Sequence, residues 1–336
     1  MNKPIPKPNI SVVIPTFNRA ELLRFSLESL VHQSLPNDQF EVIVIDDGSN
    51  DSTQKVCKEM SGQLALRYFR LEHCGISAAK NLGVFVSKNP LLLFFDDDDI
   101  ADKNLLAEHV KTHREHPEET VAVLGYTGWA PSLKVSEVMH YVTDVGHFLF
   151  SYGNLTHGQS LDFTYFWGGR SSCKRSFLAR HGVFRQQFKF GSEDIELGYR
   201  LSKFGLKVIF NRNAVQYMNR PINYEEFCRR CEKQGTSQLE FSRLHCRDKF
   251  IQSYCQVNDA ENKWNEMSEV LDSKVNRVRE IEHLLDSLTD NFMRESFLQE
   301  LWKLYKWTFN AYKLKGITKG KTDSYKTPAI VVASVV

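Results

Sequence analysis

The sequence predicts an α/β protein, an open sheet flanked by helices and followed by an α-helical extension. Three observations carry this reading. Short β-branched or apolar runs alternate with helical stretches through the first 125 residues. Those runs are nearly continuously apolar, as strands covered on both faces are, and the helical crossovers between them suit parallel pairing. From about Asn258 the pattern changes to apolar residues at three- and four-residue steps amid charges, with no strand signal.

The elements follow in order. "ISVVIPT" (10–16) is the first strand, and Asn18 with Glu21 three residues on resembles a capping box opening a helix that carries Leu23, Leu27, Leu30 and Val31 on one face. "FEVIVID" (40–46) is the second strand and 52–60 the second helix. "LALRYF" (64–69) is the third strand, 75–87 the third helix, and "LLLFFD" (91–96) the fourth strand. Residues 126–166 hold aromatics and glycines without clean periodicity and are expected to be irregular and ligand-shaping. Order returns at "WGGRSSCKRSFLARHGVF", a glycine turn before a short strand and helix. It continues at "GSEDIELGYRLSKFG", where Ser192 is expected to cap a helix running to about Phe204. Leu271, Val275, Val278, Ile281, Leu285 and Leu288, continued by Phe297, Leu301 and Leu304, predict one long amphipathic helix. The basic stretch "KLKGITKGKTDSYK" after it is expected to be mobile. Three regions result: 1–125, 126–257 and 258–336.

Composition narrows the function classes. The chain has 336 residues, 42% hydrophobic and 25% charged, with a formal net charge of +2, so no global field argues for nucleic acid. The start, "MNKPIPKPNI", lacks the apolar core of a signal peptide, and no window reaches the roughly 18 apolar residues of a membrane span. A cytoplasmic protein with reduced thiols is expected. The seven cysteines are an odd, unpatterned set; Cys228 and Cys231 with His245 and Cys246 could suggest zinc, but their segment reads as one helix, where a three-residue spacing also serves packing.

In open α/β sheets ligands collect outside the carboxyl ends of the strands, where the strand order switches. Asp46 and Asp47 close the second strand and Asp96, Asp97, Asp98 and Asp99 close the fourth, so two acidic clusters reach one rim. On an extended backbone Asp96 and Asp98 would share one face and Asp97 and Asp99 the other. Carboxylates this close raise one another's pKa or demand a cation, and hard oxygens on a rigid strand end suit Mg²⁺ or Mn²⁺ bridging to phosphate.

With "VVIPTFNR", "EVIVIDDGSNDST", "HCGISAAKNLG" and "LLFFDDDD" in that order, the first half resembles the nucleotide-binding half of family 2 glycosyltransferases with the GT-A fold, a Rossmann-like mixed sheet flanked by helices. "WGGRSSCKRSFLARHGVF" and "FGSEDIELGYRLSKFG" resemble the same family's acceptor half. The likeness spans roughly residues 9–235 and leaves out the C-terminal helices. It implies an inverting transfer from a nucleotide-diphosphate sugar, usually a UDP-sugar, to an acceptor hydroxyl of a glycan, a lipid-linked carrier or a small molecule. Pro15, Thr16 and Asn18 match the loop that approaches the nucleoside, Asp46 or Asp47 the acid on uracil or ribose, and Lys80 a basic residue near the nucleotide. A lysine on a helix is also commonly a solvated charge.

Asp96 and Asp98, with Asp97 between them, match the D-x-D motif, Asp98 as metal ligand and Asp96 at the ribose or metal shell. Asp194 matches the second acid of the Glu-Asp motif, the catalytic base, with Glu193 beside it. A carboxylate at a helix N-terminus can alternatively be only a dipole partner. Gly168 and Gly169 permit close approach to a ligand or make a turn, and Trp167 stacks on a sugar or fills the core. Many relatives carry a histidine after the strand that follows the Glu-Asp helix; here "VIFNRNAVQYMNRP" offers Asn213, Tyr217 and Asn219.

Other classes lack their signatures. "PTFNRA" has no glycine for a dinucleotide turn, nor for the triphosphate loop of a sugar nucleotidyltransferase. An adaptor that keeps the fold without activity would not need the intact acids. The C-terminal helices are expected to pack on their own chain or to form a homodimer, with membrane contact through Trp302, Tyr305 and Trp307 as the lesser alternative.

Overall fold

A computed structural model describes residues 10–188 and 190–324. In chain order the elements are β1 (Ile10–Thr16), α1 (Ala20–Val31), β2 (Phe40–Asp46), α2 (Thr53–Met60), β3 (Leu66–Arg70), α3 (Ile76–Val86), β4 (Leu91–Phe94), β5 (Asp99–Ala101), α4 (Leu105–Glu115), β6 (Val121–Trp129), α5 (Glu137–His140), β7 (Ser160–Leu161), β8 (Ser171–Lys174), α6 (Arg175–His181), α7 (Glu193–Ser202), β9 (Lys207–Met218), α8 (Tyr224–Leu244), α9 (Lys249–Cys255), α10 (Ala260–Ser268), α11 (Leu271–Leu285) and α12 (Asn291–Ser324). Two compact units divide them: the described residues within 1–135, 147–189 and 193–221, and those within 136–146, 190–192 and 222–336.

The first unit is built on one sheet ordered β3-β2-β1-β4-β8-β6-β9-β5, with β7 on β9. β1 to β4 run parallel, as the continuous apolar runs predict, but β8 enters antiparallel between β4 and β6, so the sheet is mixed. Each apolar run feeds two cores. Leu91, Leu93 and Phe95 join Val12 and Ile14 beneath α1, whereas Leu92 and Phe94 join Val13 and Phe177 on the other face. From β1 the chain steps outward to β2 and β3, then returns to place β4 on the other side of β1. That reversal makes a switch point at the carboxyl ends of β1 and β4.

Residues 126–166 are more ordered than expected. β6 continues to Trp129, short helical turns follow, and β7 pairs with β9. Its alternation is masked because this end of the sheet is only partly covered. β9 carries a bulge where the pairing jumps from Gly125↔Asn211 to Tyr126↔Val215. Beyond the bulge β9 reaches β5, which pairs Asp99 with Met218.

Two caps differ from expectation. Asn18 is left-handed (φ 52) and its Oδ1 accepts from the Asn50 amide at 2.7 Å, while the Ala20 amide at the start of α1 donates to Asp51 at 2.9 Å. Ser192 is also left-handed (φ 64), outside the extended conformation that a capping serine needs.

The second unit is helical. Asn223 and Glu226 form a capping box that opens α8, and Cys228 and Cys231 are buried thiols on that helix. Burial pushes the Cys228 thiol up to about 12, the behaviour of a packing residue. The long amphipathic helix expected after Asn258 is instead broken at residues 286–290 into α11 and α12, with Asp290 accepting from the Met293 amide at 2.7 Å and Arg277 of α11 paired with Glu300 of α12 at 2.8 Å. The basic stretch from Lys313 is helical through Ser324, and its last two residues lie outside the described ones. Tyr305, considered for membrane contact, is fully buried, with Tyr141, Tyr224 and Phe309 rings 5.3–5.7 Å away. Among the described residues no helix is long and apolar enough to cross a membrane.

α8 and α12 touch backbone to backbone. A Cβ on Gly316 would fall 1.9 Å from the Glu232 carbonyl oxygen, and one on Gly235 2.0 Å from that of Lys313. Gly316→Ala is expected to force the helices apart and cost about 1–3 kcal/mol. Calorimetry would record this as a lower Tm for the helical unit; a Tm equal to the parent's would contradict the close packing.

Candidate functional site

The floor of the rim is made by the loops after β1 and β2, which hold each other. The Asn18 amide donates to Ser49 Oγ at 2.8 Å, complementing the Asn18 to Asn50 bond. Pro15 and Thr16 end β1 opposite Ile45 and Asp46, beyond the last β1–β4 pair at Val13, so the missing proline N–H leaves no β4 acceptor unserved. Asp46 is fully buried: Oδ1 accepts from the Ser49 amide at 2.7 Å, and Oδ2 from Tyr68 at 2.6 Å and Arg70 at 3.3 Å. Asp47 accepts from the amides of Cys74 (2.6 Å) and Gly75 (2.9 Å), immediately before α3. Both acids shape the floor, and Asp47 ties it to the start of a helix.

The acidic run is not a strand. β4 ends at Phe94, the chain turns, and β5 begins at Asp99. The turn regroups the carboxylates, so the expected alternation fails. Asp97 and Asp98 share Arg19, at 2.8 and 3.2 Å, and Asp98 Oδ2 also receives Arg220 at 3.0 Å. Asp96 and Asp99 share Arg170, at 3.1 and 3.5 Å. The buried Ser26 hydroxyl lies within 2.9 Å of both the Asp97 and Asp99 carbonyl oxygens, fixing the turn from α1. Burial pushes Asp97 up to about 6, against the pull of Arg19, and lifts Asp99 well above the usual carboxylate range. For Arg170, burial opposes the charge and Asp99 and Asp96 more than offset it.

The opposite wall comes from the turn before β8 and the first turn of α7. The Gly168 amide donates to Asp194 Oδ2 at 2.9 Å, and the Ile195 amide to Oδ1 at 2.8 Å. Gly169 lies against Asp96, where a Cβ would meet Oδ2 at 2.2 Å. Two adjacent glycines therefore stand between Asp194 and the acidic run, and close approach is their reason. Burial and then Glu193 push Asp194 up to about 6, with Lys80 pulling the other way. Lys80 is not a solvated charge: it is 2% exposed, with Nζ 2.9 Å from Glu193 Oε1. Trp167 packs on Tyr152 and Tyr165 with ring centroids 5.3 and 5.6 Å away, and its indole N–H donates to the Thr164 carbonyl at 2.8 Å.

Residues 11–177 match the family model described as glycosyl transferase family 2. The chain belongs to glycosyltransferase family 2. It is 30% identical over 240 residues to validoxylamine A glucosyltransferase of Streptomyces hygroscopicus subsp. jinggangensis, covering 62% of this chain and 54% of that protein. It is 27% identical over 264 residues to chondroitin synthase of Escherichia coli, covering 68% of this chain and 38% of that one. The chain thus spans about half the length of the first, and less of the second. Among solved structures it is similar to a mannosyltransferase from Pyrobaculum calidifontis in complex with GDP-Man and Mn²⁺, with TM-score 0.64 and 19% identity over 94% of this chain and 88% of that one. It is also similar to S. aureus TarS 1-349 in complex with UDP-GlcNAc, with TM-score 0.52 and 15% identity over 89% and 90%. The fold is thus GT-A, the mixed sheet flanked by helices with a helical region at its C-terminal end.

A family 2 glycosyltransferase with a D-x-D element raises the question of a divalent ion. Among the described residues no three His, Cys, Asp or Glu side chains converge as ligands. Asp96 and Asp98 do supply hard oxygens, and two guanidiniums already converge on Asp98 Oδ2, so the position draws positive charge. Asp98 and Asp96 are the residues that would hold a divalent ion, which would replace Arg19 and Arg220 at Asp98, take its further ligands from outside these side chains and supply positive charge at the rim. Of the residues considered in place of the missing histidine, Asn213 is exposed on the bulge, while Arg220, passed over in the sequence, reaches Asp98. Arg19, Asp51, Arg170 and Gln216, which bonds Asp99 and the Gly169 carbonyl, were also missed. The available signal was a basic residue directly after each rim motif, in "FNR", "GGR" and "MNR".

Asp47→Ala removes the acceptor of two amides at the head of α3 and is expected to cost about 0.5–2 kcal/mol, as other lost N-terminal caps do. Urea unfolding checks this; a midpoint equal to the parent's would contradict the role.

Proposed function

We propose that the protein moves a sugar from a nucleotide-diphosphate donor, a UDP-sugar, to an acceptor hydroxyl with inversion, using Asp194 as general base and Mn²⁺ or Mg²⁺ on Asp98 and Asp96. The observation that carries this is the glycine pair: Gly168 bonds Asp194 while Gly169 touches Asp96, so a base and a cation-drawing carboxylate are held against adjacent residues of one turn. In this reading residues 1–125 hold the donor, with Pro15, Thr16, Asn18 and the Asp46–Asp47 pair at the nucleoside and Asp96, Asp97 and Asp98 at the diphosphate. Residues 126–257 supply the base and the acceptor side, with Trp167 a wall of the sugar pocket.

The chemistry follows from these positions. Asp194, ionised and oriented by two backbone amides, takes the proton of the acceptor hydroxyl as that oxygen bonds to the anomeric carbon. The bond from that carbon to the diphosphate oxygen breaks, and the electron pair leaves with the nucleoside diphosphate. A bound divalent ion supplies charge stabilisation on the leaving phosphates. Arg19 and Arg220 retain positive charge beside the diphosphate once released from Asp98.

Support from relatives is for the class. Solved neighbours hold GDP-Man in one case and UDP-GlcNAc in another, so a donor screen includes guanosine and uridine sugars with Mn²⁺ and Mg²⁺. Release of nucleoside diphosphate supports the transferase; pyrophosphate release would point to nucleotidyl transfer, and silence with every donor to a binding platform. Asp98→Ala is expected to abolish metal-dependent donor binding measured by calorimetry. Asp194→Ala is expected to keep donor binding and lower turnover about 10²–10⁴-fold, the range of general-base catalysis. Full turnover by Asp194→Ala would overturn the base assignment.

A further inference from the structure

Lys80 lies where the family resemblance suggests a nucleotide contact, yet the structure gives it other work. Its side chain, on α3, is 3% exposed, and its ammonium lies 2.9 Å from Glu193 Oε1 and 5.3 Å from the centre of the Phe184 ring. A Cβ on Gly168 would fall 2.7 Å from Nζ, so the ammonium is packed beneath the residue whose amide orients Asp194. Glu193 is buried too, 6% exposed, and its Oε2 has no hydrogen-bond partner among the described residues. Freeing Lys80 to meet a phosphate would strand that carboxylate in the interior.

Glu193, buried beside Asp194 in the first turn of α7, opposes the ionisation of Asp194, and a protonated Asp194 could not act as a base. We propose that Lys80 is a positioning residue for the base and not a ligand of the donor: its ammonium fixes Glu193 and cancels its charge, leaving the Asp194 carboxylate ionised and aimed by Gly168. The inference rests on the reading of Asp194 as the base.

The charged groups around Asp194 fit this division. Glu193 precedes it on α7, Lys80 approaches from α3, and Asp96 from the β4 turn carries Arg170. One turn further along α7, Glu196 is held by Arg185 and Arg200 at 3.1 and 3.0 Å. Lys80 stays protonated although burial opposes it, because Glu193, Asp194 and Asp96 together favour the charge. Removing it leaves Asp194, already pushed up to about 6, without its nearest cation, so its pKa rises further. A base must be unprotonated, so activity is lost as pH falls through that pKa, and the acid limb moves to higher pH.

The test compares Lys80→Met, Lys80→Arg, Glu193→Gln and the double variant Lys80→Met/Glu193→Gln. In Lys80→Met the acid limb of kcat/KM for the acceptor is expected to move up by about one pH unit or more, the size of a lost neighbouring charge. Its donor affinity by calorimetry stays within about twofold of the parent at pH 8, a range that corresponds to less than 0.5 kcal/mol. Lys80→Arg keeps the limb near the parent's position. The double variant, in which the buried pair is neutral and folding no longer depends on an ion pair, brings the limb back toward the parent's. A tenfold loss of donor affinity with an unmoved limb in Lys80→Met would make Lys80 a donor ligand and overturn the proposal, as would a double variant with the limb of Lys80→Met. Titration of the Asp194 carboxyl by ¹³C NMR, its signal identified by loss in Asp194→Asn, reads the effect of Lys80 without turnover. A raised carboxyl pKa in Lys80→Met supports the pairing even if Asp194→Ala sinks the base reading, whereas an unmoved signal overturns the pairing alone.

Discussion

Four carboxylates in a row at the end of a buried strand are the constraint on which the rest of the structure depends. They cannot lie at the rim uncompensated, and the fold brings them cations from three distant places: Arg19 after β1, Arg170 before β8 and Arg220 after β9. The turn at residues 96–98 sorts the acids into pairs, each sharing a guanidinium. The turn before β8, which runs antiparallel to β4 and β6, and the end of β9, which runs parallel to β6, thus carry two of the charges that balance this rim. The same pairing leaves Asp98 in contact with cations that solvent or ligand can replace, since Arg19 and Arg220 are 39% and 28% exposed, whereas Arg170 is 11% exposed and fixed.

The second consequence is spatial. Once Arg170 is anchored on Asp96 and Asp99, the two residues before it are pressed between the acidic run and α7, and only glycine fits at Gly169. The same turn delivers an amide to Asp194. The strand end that carries Asp96 and the helix start that carries Asp194 are thus coupled through the backbone of one turn. Buried electrostatics of this kind are worth more than surface pairs because solvent screens them less.

Much of this was legible in the chain. β1 and β2 fall at the residues their apolar runs mark, because a strand covered on both faces has no alternative to burying every side chain. The acids and glycines of the site were readable for the same reason: they sit where regular elements stop. What could not be read was long-range. Arg19 meets Asp97 across 78 positions and Arg220 meets Asp98 across 122, and nothing local marks a long, flexible side chain for such a partner. The alternating faces of the acids failed because a turn, not a strand, follows Phe94. The break between α11 and α12 was hidden because apolar positions recur on both sides of it; only "DSLTD", with an aspartate that caps the next helix, betrays it. Lys80 shows the limit of residue-by-residue transfer, since position on a motif says nothing of which neighbour the ammonium finds.

The most direct measurement is a crystal structure with a nucleotide sugar and Mn²⁺ bound. The account predicts the ion against Asp98 and Asp96 with the diphosphate as its other hold, Arg19 and Arg220 withdrawn from Asp98, and Asp194 facing the anomeric carbon across Gly168. A nucleotide or ion seated away from the end of β4, with both arginines still on Asp98, would contradict it.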